Sequence, residues 1–322
     1  MKAAILHNFG EIPIYGNFAE PVAGNDEVLI NVKAVALENV DKMMASGEHF
    51  ASKQFLTELP AIVGFDGIGE LENGQMIGFG GVKAPYGAMA EKTVVPKTNT
   101  IPIPDGVTAP VAAALPASAL TSLFPLQWGA KLQKGETVLV NGATGVAGKL
   151  AIQIAQLLGA GRVVGTGRND ETLKQVLDLG ADSVIDLKQS DRALVEAFKN
   201  DVGGPYDVII DFLWGRPTEL LIKTMSPEEI GYVEKSIRLV QVGEAAGDSI
   251  SLPASSLRNS GLEIIGASSG MTPEAMGEST KLMWEWIKEN KLLMDIEEVP
   301  LAEIENAWKR KDFQGKRIVI IP

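Results

Sequence analysis

The sequence predicts an α/β protein in which a doubly wound parallel sheet is joined to a smaller, β-rich region. Three observations carry this. Between residues 137 and 268, short β-branched strands alternate with helical stretches, the pattern of parallel strands joined by crossover helices. Residues 1–105 instead hold many short apolar runs divided by closely spaced glycines, as in a small barrel or sandwich. The chain then returns to a strand at 318–321, after the turn Gly315-Lys316-Arg317.

Taken in order, the first long strand is predicted at 28–35, opened by the turn Gly24-Asn25-Asp26. Shorter strands follow at 62–63, 68–71, 76–79 and 88–95, with Gly64, Gly67, Gly74 and Gly87 among the punctuating residues. Residues 109–128 are helical in pattern and broken by Pro110, Pro116 and Pro125, because proline removes a helical N–H and clashes with the preceding turn. Strands are then expected at 138–140, 184–187, 208–212, 239–242 and 264–265, with a helix at 193–198. Asp207 and Asp211 flank a buried strand and read as structural. The segment 216–235 is longer than a minimal crossover needs. Residues 273–289 form an amphipathic helix with Met276, Leu282, Met283, Trp286 and Ile287 on its apolar side.

Size and composition bound the function. A chain of 322 residues exceeds one ordinary core, so two domains are expected. Net charge is −12, which argues against nucleic acid and anionic membranes as partners, since both need a basic surface. Cysteine is absent, which removes disulfides, thiolate zinc sites and a cysteine nucleophile, and fits the cytoplasm. The opening MKAAILHNFG is too short and polar for a signal peptide. Residues 106–130 carry no charge, but their prolines and polar residues mark helices buried between domains rather than a membrane span.

The most informative stretch is 138–169. The strand Val138-Leu139-Val140 meets the turn Ala143-x-Gly145-x-x-Gly148, an amphipathic helix follows, Gly159 caps it, and a second strand ends at Arg168. This is the βαβ unit of a dinucleotide site. Gly145 allows the tight turn, Gly148 lets the helix approach the strand, and the helix N-terminus offers N–H groups to a pyrophosphate. The competing reading is an ordinary surface turn. An ATP-binding phosphate loop fits poorly: Gly142 to Gly148 has one spacer too many, and Leu150 follows Lys149 where a Ser or Thr would hold magnesium.

Several stretches together resemble the medium-chain dehydrogenase/reductase family, in particular its zinc-free quinone oxidoreductases and enone reductases. They are DEVLINVKAVAL at 26–37, GFDGIGEL at 64–71, AAALPASALTSLFPL at 112–126, the cofactor turn, LGADSVIDL at 179–187 and GKRIVIIP at 315–322. The resemblance implies a GroES-like substrate domain built from both chain ends, 1–117 and 269–322, around a Rossmann domain at 118–268. It also bears on metals. Zinc-using relatives carry Gly-His-Glu where this chain has Gly64-Phe65-Asp66, and the only histidines are His7 and His49. A catalytic zinc takes about three protein ligands, and the usual set is missing, so no metal is expected. Asp66 reads as a loop carboxylate bonding backbone amides.

Cofactor preference is read at the end of the second strand. An acidic residue there would accept from the ribose 2′-hydroxyl. Here Arg168 stands among the uncharged Gly165, Thr166, Gly167 and Asn169, which favours the 2′-phosphate of NADPH. Many relatives carry a lysine four residues further on, where this chain has Thr172; Lys174 lies on another face of that helix. The remaining cofactor contacts are expected from Asn141, Ala143, Thr144, Gly145, Val146, Ala147 and Gly148 along the phosphates, Thr121 near the nicotinamide, Phe212 or Leu213 beside the adenine or ribose, and Val242, Gly243, Glu244, Ala267 and Ser268 at strand ends.

Hydride addition to a quinone or an α,β-unsaturated carbonyl needs no metal, because charge delocalises onto an oxygen that hydrogen-bond donors can hold. Relatives place Asn-Pro-x-Asp and then Ser-Gly-x-Tyr in the loop after the first long strand. Here the loop reads Glu38-Asn39-Val40-Asp41, then Ser46-Gly47-Glu48-His49-Phe50. The candidate catalytic residues are His49, Tyr86 and Asp41. His49 reads as a proton donor or a solvated loop residue, and Asp41 as an acid–base group or the cap of a helix starting near Lys42. Alternatives are a metal-free alcohol or aldehyde dehydrogenase and an NADPH-binding protein without turnover. Resemblance further implies a homodimer pairing through residues 262–267.

Overall fold

The computed structural model describes residues 1–49, 51–201, 205–225, 235–310 and 315–322. In chain order the elements begin with β1 (Lys2–Leu6), β2 (Ile14–Asn17), β3 (Glu27–Ala36), α1 (Asn39–Ser46), α2 (Ser52–Phe55), β4 (Ala61–Ile62), β5 (Asp66–Glu70), β6 (Met76–Gly80), β7 (Lys92–Pro96), β8 (Thr100–Pro102), α3 (Ala109–Ala114) and α4 (Pro116–Phe124). They continue with β9 (Thr137–Asn141), α5 (Val146–Leu157), β10 (Arg162–Gly167), α6 (Asp170–Asp178), β11 (Ser183–Asp186), α7 (Asp191–Lys199), β12 (Val208–Asp211), α8 (Gly215–Met225), β13 (Ile237–Gln241), α9 (Ala254–Ser260) and β14 (Leu262–Gly266). The last are α10 (Pro273–Lys288), β15 (Ile296–Pro300), α11 (Ile304–Lys309) and β16 (Arg317–Ile321).

Two compact units result, one of Met1–Pro116 with Asp295–Pro322 and one of Ala117–Met294. The first unit joins the chain ends because β16 pairs antiparallel with β3, setting Val319 opposite Ala36. Strand β3 shows the period of two that the sequence announced: Ile30, Val32 and Ala34 are buried while Leu29, Asn31 and Lys33 are exposed. Its inward residues meet Ile77, Phe79, Met89, Ile318 and Ile320 in one core. The strand expected at 88–95 begins only at Lys92. Ala88, Met89 and Ala90 are instead fully buried, joined to β1 by a single bridge between Ala3 and Ala90.

The second unit is a six-stranded parallel sheet in the order β11-β10-β9-β12-β13-β14. Strand order reverses beside β9, which places a switch point at its carboxyl end. Val138, Leu139 and Val140 of β9 are completely buried, each contributing roughly 1.5–3 kcal/mol through burial. Such continuous apolar strands are what helix layers on both faces require.

One domain boundary is corrected here. Residues 269–294 belong to the second unit, not to the one formed by the chain ends. Trp128 Nε1 donates to Ser279 Oγ of α10 at 3.0 Å, and the Gln153 amide closes both backbone groups of Leu293 at 2.7 and 3.0 Å. The proline-broken helical stretch ends in a wide turn over Pro125–Gly129, where Ala130 N–H bonds Pro125 O at 2.7 Å. The segment 216–235 opens as α8; residues 226–234 lie outside the described residues. Among the described residues no helix is long and apolar enough to cross a membrane.

Candidate active site

The carboxyl end of β9 runs into the glycine turn. Gly142 takes a φ of +95°. Its N–H donates to Thr166 Oγ1 at 3.0 Å, and Ala143 N–H donates to Thr166 O at 2.8 Å, so β10 pins the turn from the side. Gly145 is the residue that caps α5, which has no side-chain cap. It is exposed, and a Cβ there would meet only Gly142 O at 3.7 Å. Gly148 is the opposite case: a Cβ would stand 2.2 Å from Gly142 O and 2.7 Å from Ala143 Cα. The helix N-terminus is therefore packed against the strand end behind and uncapped in front. That is the geometry that accepts a pyrophosphate on backbone N–H groups. Val146 and Ala147 form the first turn of α5, partly exposed.

Asn141 is corrected. It is completely buried, and its side chain faces inward rather than toward the phosphates. Its Nδ2 donates to Asp211 Oδ1 at 2.9 Å and to Thr218 Oγ1 at 3.2 Å, and its Oδ1 accepts from Thr166 Oγ1 at 2.8 Å. Asp211 Oδ1 also accepts from the N–H groups of Leu213 and Trp214 at 2.9 and 3.1 Å, and Oδ2 accepts from Thr218 Oγ1 at 2.6 Å. All four side chains are fully buried. This network ties the ends of β9, β10 and β12 to the start of α8, so Asn141 shapes the turn instead of touching a ligand, and Asp211 is structural. Thr166 and Thr218 are the members that sequence reasoning misses, the Thr166 hydroxyl on an otherwise apolar strand being the available signal; separately, Ser122 Oγ donates to Ala147 O at 2.9 Å.

At the end of β10, Gly167 is buried against Thr144: a Cβ there would lie 2.2 Å from Thr144 Cγ2. Arg168 follows and is exposed. Asn169 is exposed and caps α6, its Oδ1 accepting from Glu171 and Thr172 N–H at 3.0 and 3.1 Å. Thr172 is buried and its hydroxyl donates to Asn169 O at 3.0 Å. Lys174 is exposed on α6. Elsewhere along this edge, Phe212 is half-buried, and Val242 and Gly243 donate their N–H groups to Asp211 O at 2.8 and 3.0 Å. Ala267 and exposed Ser268 follow β14. Thr121 is exposed on α4, its hydroxyl donating to Ala117 O at 2.6 Å.

The first unit holds the other candidates. Asp41 is buried, and its Oδ2 accepts from Glu38 N–H at 2.8 Å. It is a helix-start residue, the third of α1 rather than its cap. Burial raises its carboxyl well above the usual range, which Glu38 N–H opposes. His49 Nδ1 accepts from Ala51 N–H at 3.2 Å, and Tyr86 OH donates to Glu20 O at 3.3 Å while its ring meets Phe18 edge-on. Phe50 lies outside the described residues. Asp66, expected to bond backbone amides, makes no side-chain hydrogen bond to them among the described residues. Asp66 is exposed at its edge, and partial desolvation raises its carboxyl to about 6, helped by the Glu38 charge and opposed by Arg317. Arg317 pairs with Glu38 at 3.2 Å. Phe65 packs edge-on against Phe55 with centroids 5.4 Å apart, an apolar ring with no metal-ligating atom.

Comparison with known proteins agrees with this geometry. Residues 147–289 match the family model described as zinc-binding dehydrogenase. The chain is 26% identical to the probable NADPH-dependent quinone reductase tdiC of Emericella nidulans over the whole of both chains. It is 30% identical to the trans-enoyl reductase pgmF of Aspergillus terreus, over 61% of this chain, and spans 57% of that protein's length. Among solved structures, the quinone oxidoreductase of Thermus thermophilus, determined also with NADPH, superposes with a TM-score of 0.78 at 26% identity and full coverage of both chains. The chain is thus similar to quinone oxidoreductase-like members of the medium-chain dehydrogenase/reductase superfamily, and over its full length it has the fold of the Thermus thermophilus quinone oxidoreductase. These relatives are named as reductases and oxidoreductases, and the Thermus thermophilus structure was also determined in complex with NADPH.

Proposed function

We propose that the protein is a zinc-independent, NADPH-dependent reductase of quinones or α,β-unsaturated carbonyls. One observation carries the cofactor choice: the strand after the glycine turn ends on exposed Arg168, and no carboxylate replaces it at that position. A guanidinium matches a 2′-phosphate bidentately, whereas a ribose hydroxyl calls for an acceptor. The turn from Ala143 to Gly148 would hold the pyrophosphate through α5 N–H groups, with Thr144 and Gly167 setting its width. When bound, the nicotinamide supplies a hydride.

Zinc independence rests on donor chemistry. Phe65 fills with a phenyl ring the place where zinc-using relatives carry a histidine, and the chain has no cysteine. A conjugated acceptor suits such a site, because the charge that develops on its oxygen is delocalised and needs donors rather than a cation. His49 and Tyr86 are the candidate proton donors of the first unit, and water is the remaining source. The first unit is assigned the substrate and the second the nucleotide, and the exposed edge of β14, with Ile264 outward, is the surface assigned to a homodimer.

The test is NADPH oxidation against a panel of benzoquinones, naphthoquinones and α,β-unsaturated ketones, with NADH and simple alcohols as comparison. Turnover of conjugated acceptors with NADPH, unaffected by chelator, is expected. Oxidation of alcohols instead, or tight NADPH binding with no acceptor reduced, contradicts the reading.

A further inference from the structure

The 2′-phosphate reading leaves Arg168 as the cation at the end of β10, since Thr172 is buried and spent on Asn169. The neighbouring strand supplies a second. Strands β10 and β11 run parallel with Gly167 opposite Asp186, and Leu187 N–H donates to Gly167 O at 2.7 Å. The chain therefore leaves both strands at the same level, Arg168 from one and Lys188 just past the other. Lys188 is held in place at its backbone, where its N–H donates to Asp186 Oδ1 at 2.9 Å. Its ammonium then reaches across to Asp170 Oδ1, 3.3 Å away, on the first residue of α6 and two positions after Arg168.

We propose that Lys188 is the second cation of the 2′-phosphate site, entering from β11 instead of from the helix after β10. This rests on the NADPH reading above. The charges around it fit that role. Asp170, Glu171 and Asp186 are acidic and would repel a phosphate dianion beside Arg168; Lys188 pairs with one of them, Asp170, and brings three N–H donors of its own. Its pair with Asp170 is exposed on both sides, 55% and 79% by side chain. Pairs of that kind are weak, so the ammonium exchanges a single carboxylate for a doubly charged phosphate readily. Asp170 acts as the holding partner in the absence of phosphate and as a like charge in its presence.

The experiment is calorimetric titration of NADPH and NADH at low ionic strength against the wild type, Lys188→Gln, Asp170→Asn and Arg168→Ala, with thermal melting to confirm folding. Lys188→Gln is expected to weaken NADPH about ten-fold, the loss of one hydrogen bond to a charged group, and to leave NADH unchanged. Asp170→Asn is expected to tighten NADPH alone. If Lys188→Gln alters NADPH and NADH equally, or alters neither while Arg168→Ala loses NADPH selectively, Lys188 does not read the phosphate and the proposal is overturned with the NADPH reading intact. If the wild type binds both nucleotides equally, the NADPH reading fails and Lys188 falls with it.

Discussion

The methyl group of Ala143 lies where Gly165 leaves space for it. A Cβ built on Gly165 would stand 2.9 Å from Ala143 Cβ, and 2.7 Å from Val176 Cγ1. The turn departs from an all-glycine pattern at Ala143, and the adjacent strand accommodates the extra carbon by carrying a glycine of its own.

This relationship predicts a coupled pair. Gly165→Ala should destabilise the protein by about 1–3 kcal/mol through overpacking. Ala143→Gly should restore part of that loss in the double variant, with the Val176 contact remaining. Urea denaturation of the two single variants and the double variant measures the coupling; strictly additive effects would show that the two positions do not compete for space.

The buried network behind the turn predicts a loss of a different kind. Thr218→Val keeps the shape but removes the side-chain donor to Asp211 Oδ2 and an acceptor for Asn141 Nδ2. Leaving a buried carboxylate oxygen without that donor costs about 1–3 kcal/mol. Nucleotide affinity should fall as well, because Asn141 and Thr166 set the position of Gly142. Equal stability in Thr218→Val and wild type would contradict the network.

How far the sequence alone reaches is clear from these residues. The βαβ unit was legible because hydrophobic period and glycine spacing are local signals, and the parallel sheet followed from the alternation. The roles of Asn141 and Asn169 were not. Whether an asparagine faces a ligand, a buried aspartate or its own helix start depends on partners such as Asp211, 70 residues further along the chain from Asn141. Likewise α10 reads as amphipathic from its own residues, but only Trp128 and Ser279 in contact assign it to the second unit. The raised carboxyl of Asp66 depends on charges distant in sequence, Glu38 and Arg317, and no motif announces it.

Asp66 gives a pH-dependent prediction. Its carboxyl rises from an ordinary value of 3.8 to about 6 in the folded protein. The folded state therefore holds the proton more tightly than the unfolded chain, and the stability this contributes is complete below about pH 4 and lost as pH rises through about 6. Asp66→Asn should melt like the wild type near pH 4 and at a higher temperature above pH 6. Thermal melts across that range decide it; a difference that does not change with pH would rule out the raised carboxyl as its origin.

The central claim is that the uncapped start of α5, pressed against Gly142 and Ala143 by Gly148, receives a nicotinamide dinucleotide whose 2′-phosphate meets Arg168. Calorimetric titration of the wild-type protein with NADPH tests it most directly. The account predicts saturable binding of one NADPH per chain, lost in Gly148→Val and weakened in Arg168→Ala; no binding of either nicotinamide nucleotide, or binding that survives Gly148→Val unchanged, would contradict it.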